Sequence, residues 1–107
     1  MKRIAALISL SLLAGHAAAE SVTVYSARND QLVKPLFDAF TKETGIEVLS
    51  LTDKEGPLLA KLKAEGANTP ADVLLTVDAG NLWAAAYAGL LKPVQSTTLN
   101  ANIPPHL

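Results

Sequence analysis

TPADVLLTVDAGNLWAAAYAGLLKP, residues 69–93, reads as one strand, one sharp turn and one capped helix. Pro70 disfavours helix at Thr69 and opens an extended segment. Val73-Leu74-Leu75-Thr76-Val77 is a nearly unbroken apolar run, the pattern of a strand covered on both faces of a parallel sheet. Asp78 stands where a side-chain oxygen meets the free N–H groups of the next helix. Gly89 ends that helix and Pro93 prevents its return. Open α/β sheets bind ligands at the carboxyl ends of their strands, so this segment points at ligand binding.

Upstream, the same alternation of strand and helix recurs. Residues 21–26, SVTVYS, alternate and are β-branched, so they read as the first strand. Asn29 and Asp30 follow as candidate caps, and Leu32, Val33, Leu36, Phe37 and Phe40 recur at helical spacing. Gly45 is placed to close this helix. Pro35 removes a backbone donor, which is harmless only in the first turn, so the helix is expected to start late or to bend there. Residues 46–51 read as the second strand. Pro57 fits the first turn of a second helix whose inner face is Leu58, Leu59 and Leu62 and which Gly66 ends. The order is βαβαβα. Helix-length connections imply parallel strands and right-handed crossovers, hence an α/β fold with the first strand central. Downstream, residues 94–107 are polar and proline-marked and read as the start of a connection.

The first nineteen residues carry a different signal. Lys2 and Arg3 precede an apolar run at 4–13, and Ala17-Ala18-Ala19 offers small residues for cleavage before Glu20. This is the tripartite pattern of an export signal peptide, and the run is short of the roughly 20 residues a membrane-spanning helix needs. The expected location is therefore the periplasm, with 1–19 removed and 20–107 retained. Removal leaves 88 residues with seven basic and ten acidic side chains, a net charge of −3. That balance offers no basic field for nucleic acid. With no cysteine in the chain, disulfides and thiolate metal sites are excluded. His16 leaves with the signal and His106 sits in the tail, so a nucleophile–histidine–acid arrangement has no histidine in the body of the fold. An enzyme is not expected.

Two strand-to-helix turns carry the candidate chemistry. In the first, Ser26, Arg28 and Asn29 offer a hydroxyl, a guanidinium and an amide beside a helix N-terminus. Such a turn suits an oxyanion, or it is a capped turn with a solvated arginine. In the second, Asp78 precedes Ala79-Gly80, and it either caps the helix or contributes to a ligand. Neither turn carries a glycine-rich dinucleotide or phosphate loop. Tyr25 is expected at a strand end beside the cleft. Tyr87 is expected to pack, and Trp83 to serve as core or surface cover.

Taken together, Val24-Tyr25-Ser26-Ala27-Arg28, Phe40-Thr41-Lys42-Glu43-Thr44-Gly45-Ile46, and Pro70-Ala71-Asp72-Val73 through Asp78-Ala79-Gly80 to Ala88-Gly89-Leu90-Leu91 resemble the start of the periplasmic iron(III)-binding proteins. These are the substrate-binding components of ABC importers with the type-2 periplasmic binding fold. The resemblance implies a three-layer parallel-sheet lobe, incomplete here, with 20–107 as the N-terminal part of the first lobe. It implies no intrinsic cofactor, ferric ion as the transported ligand with or without a synergistic anion, and an ABC permease of the inner membrane as partner. It places Ser26, Arg28, Asn29 and Asp78 on the cleft wall. No residue of the chain is a convincing metal ligand. Many relatives have a histidine where this chain has Asn29, and some have a glutamate at the position of Val77. The adjacent tyrosine pair of the family would lie downstream. Iron(III) is hard and prefers oxygen donors, in keeping with phenolate and carboxylate ligands. The rival readings are a binding protein of the same fold for an oxyanion, phosphonate or polyamine, and a small exported interaction protein.

Overall fold

The computed structural model describes residues 20–107, and the expected export signal, 1–19, lies outside the described residues. The elements run β1 (Ser21–Ser26), α1 (Asp30–Thr44), β2 (Glu47–Thr52), α2 (Glu55–Glu65), a 3-10 turn (Gly66–Asn68), β3 (Val73–Leu75), α3 (Ala79–Tyr87) and α4 (Thr97–Asn102). The three strands form one parallel sheet in the order β2-β1-β3. The expected βαβαβα order and central first strand are both present.

This order fixes the layers. The chain steps from β1 to β2 on one side, then returns past β1 to β3 on the other. Right-handed crossovers in opposite directions leave their helices on opposite faces of the sheet. Alternation along β1 then sends Tyr25 and Val24 to opposite faces, and both are buried. On the Tyr25 face, Leu58 and Leu62 of α2 complete the core, with Ala27, Ala71, Leu74 and Leu90 packed against it. In α1, Val33 is the buried residue.

Three local readings are corrected. The first concerns α1, which does not start late. Its N-cap Asn29 accepts a hydrogen bond from Gln31 N at 2.9 Å, and the Asn29 carbonyl takes the amides of Leu32 and Val33. Capping at Asn29 outweighs the donor missing at Pro35, which lies inside the helix. The second concerns β3, which is shorter than 73–77 and is not covered on both faces. Its partner β1 pairs only Val24, Tyr25 and Ser26 with Val73, Leu74 and Leu75. Beyond Ser26 the first strand turns away, so Thr76 and Val77 have no strand beside them, and Val73 is 44% exposed. The third concerns the tail, where residues 97–102 form α4, capped by Ser96 Oγ on Leu99 N.

Helix ends follow the sequence closely. Gly45 takes φ 75° after α1, where its N–H donates to the Thr41 carbonyl at 2.8 Å. Left-handed backbone of this kind carries little steric cost only for glycine. Gly66 and Gly89 also have positive φ at the ends of α2 and α3.

Candidate functional site

Reversal of chain direction about β1 makes the crevice between the ends of β1 and β3 the topological switch point, where open α/β sheets take their ligands. Ala27 N donates to the Leu75 carbonyl at 2.9 Å, so the two strand-to-helix turns leave the sheet side by side. Each of the four candidate residues stands on one of them.

The first turn holds Ser26, Arg28 and Asn29. Ser26 is fully buried, and its Oγ accepts the Arg28 N–H at 3.1 Å. Its hydroxyl is thus part of the turn's own framework. Arg28 is exposed, and among the described residues its guanidinium makes no ion pair. Asn29 is the cap of α1. Asp53 N donates to the Ser26 carbonyl at 3.1 Å, tying the start of the β2–α2 loop to the same turn. The Thr52 hydroxyl donates to the Asp30 carboxylate beside it.

The second turn is denser. Asp78 Oδ1 accepts Asn81 N at 2.9 Å, the N-cap bond of α3. The Asn81 amide nitrogen also donates to Asp78 Oδ2 at 3.0 Å. These two donations, backbone first, hold the Asp78 carboxyl below the usual carboxylate range. A Cβ on Gly80 would lie 3.2 Å from Asp78 Oδ1, so the glycine leaves room for the capping carboxylate. Glu55, at the start of α2, reaches across to the same turn. Its Oε1 accepts the amides of Val77 and Asp78, and its Oε2 accepts the Asn81 side-chain amide.

Several placements differ from expectation. Tyr25 is not beside the cleft. It is 2% exposed, and its hydroxyl donates to the two carboxylate oxygens of Glu65 at 2.8 and 2.9 Å. Burial, and then the Glu65 carboxylate, push its phenol above the usual value. The Thr69 hydroxyl donates to the same carboxylate at 3.1 Å. Tyr87 is not packed inside. It is 81% exposed and stacks on Trp83 with ring centroids 5.1 Å apart. Glu55 was not legible as a site residue, since an acid in a helix's first turn reads as a complement to the dipole. Among the described residues no group of three or more His, Cys, Asp or Glu side chains is placed to hold a metal ion.

No protein-family model matches the chain. Over 88 residues it is 46% identical to iron uptake protein A1 of Synechocystis, an overlap of 82% of this chain and 24% of that protein. The fold matches the Bordetella ferric binding protein with a TM-score of 0.77 at 43% identity, over 82% of this chain and 28% of that one. Over most of its described residues the chain is similar to proteins named for binding ferric iron. A Trichodesmium protein solved in complex with iron and citrate matches with a TM-score of 0.72 at 47% identity, over 76% of this chain and 26% of that one. The chain spans about a quarter of the length of these three relatives.

Proposed function

We propose that residues 20–107 form the first-lobe wall of a periplasmic binding protein that delivers ferric ion to an ABC permease of the inner membrane. The observation that carries this reading is sequence identity of 43–47% joined to a matching fold in a ferric binding protein and in a protein solved with iron and citrate. Ser26, Arg28, Asn29 and Asp78 belong to the wall at the strand ends. The exposed Arg28 guanidinium suits an anion accompanying the metal, by charge-assisted hydrogen bonds. The remaining oxygen donors that a hard cation requires come from outside these residues. The export-signal pattern of the sequence at 1–19 supports the periplasm as the place of action, and the iron uptake and iron-binding names of the relatives support transport over catalysis. Those names favour iron over an oxyanion, a phosphonate or a polyamine. Nothing favours a small exported interaction protein.

The test is calorimetric titration of purified 20–107 with ferric nitrilotriacetate, phosphate, a phosphonate and spermidine. The expected result is no tight one-to-one binding of any of them. Micromolar or better binding of phosphonate or spermidine would overturn the iron reading. The same affinity for ferric ion would overturn the claim that most of the ligand set lies outside these residues.

A further inference from the structure

We propose that Glu55 is the positioning residue of the β3–α3 turn, acting as a built-in anion seated on that turn's free N–H groups. Three donors converge on one carboxylate: the consecutive amides of Val77 and Asp78, and the side-chain amide of Asn81. Consecutive backbone N–H groups ahead of a helix make a concavity that favours negative charge, and the α3 N-terminus adds its dipole. Both oxygens of Glu55 are engaged, one by the backbone and one by the amide. The carboxylate comes from another element, 22 residues away from Val77 in sequence, so it ties the start of α2 to the end of β3. No strand pairs with Thr76 or Val77, since the register ends at Leu75. Glu55 supplies the bond that a neighbouring strand would otherwise give.

Two consequences follow. Asn81 donates to Asp78 and to Glu55 alike, so the orientation of the Asp78 cap depends on Glu55. The turn's amides are also taken, so an outside anion has the Arg28 turn open to it and not this one. The second consequence rests on the anion role proposed above. The experiment below reads the turn itself, so its failure would leave the iron reading standing.

The measurement is amide hydrogen exchange by NMR on the full chain, compared with Glu55→Ala and Glu55→Gln. Val77 and Asp78 amides are expected to be protected in the unaltered chain. In Glu55→Ala their exchange should quicken about ten- to a hundredfold, the range that a hydrogen bond to a charged group supports. Formate added to Glu55→Ala should restore protection saturably, while equal chloride should not. Glu55→Gln keeps one acceptor and should fall between the two. Free-peptide exchange of Val77 in the unaltered chain would overturn the proposal whether or not the variants fold. Unchanged exchange in Glu55→Ala, or no response to formate, would overturn it as well.

Discussion

Asp78 and Tyr25 show how one side chain sets the response of this chain to pH. Asp78 has its carboxyl pulled down by the Asn81 backbone and side-chain amides. A depressed folded value means stability that is present above the unfolded carboxyl value, about 3.9, and lost as pH falls through the folded one. Urea titrations between neutral and acid pH should therefore show a falling midpoint below about pH 4. Asp78→Ala should start lower at neutral pH, having lost its cap, and should fall less. Tyr25 has the opposite sign. Its phenol is raised by burial and by Glu65, so its contribution is complete below about pH 10 and is lost as pH rises through the folded value. Tyr25→Phe should be less stable at neutral pH and lack that alkaline loss in the same assay. The Asp78 cap was legible because caps are local. The role of Tyr25 was not, because its partner Glu65 lies 40 residues on and only the packed α2 brings it across.

Elements were legible where their signals were local. Caps and glycine stops bounded α1, α2 and α3, and β-branched alternation marked β1. Of the late start or bend expected at Pro35, the late start does not occur, because the cap at Asn29 anchors the helix ahead of it. The third strand misled for a different reason. An apolar run states what a strand is able to bury, whereas its length is set by the partner, and β1 supplies three paired residues. The docking of α2 rests mainly on Leu58, which is 1% exposed against Tyr25 and Leu62. Leu58→Ala should cost roughly 2–5 kcal/mol, the range for a buried leucine with partial collapse of the cavity. Chemical denaturation with an unchanged m-value checks it; a cost below about 1 kcal/mol would show that α2 is not held by this residue.

At the scale of the whole molecule, the sheet has one central strand and two edges among the described residues. Apolar side chains stand exposed on both edge strands: Leu49 and Leu51 on β2, Val73 on β3. An open apolar edge invites pairing with another strand, and a domain of this size buries only about 60–65% of its unfolded surface. The fold class and strand order were readable from the sequence, because helix-length crossovers leave few ways to arrange three parallel strands. The ligand set was not readable. Four candidate residues lie on two adjacent turns, and only Arg28 among them presents a charge not committed to the turn itself.

The role proposed above for residues 20–107 is that of one wall of a ferric-ion clamp. Its most direct test is a chimera in which they replace the matching segment of the Bordetella ferric binding protein. Ferric affinity is then read by competition with a chelator beside the parent protein. One-to-one ferric binding by the chimera is expected, weakened severalfold by Arg28→Ala when the accompanying anion is limiting. A folded chimera that binds no ferric ion, or that prefers phosphonate or spermidine, would contradict it.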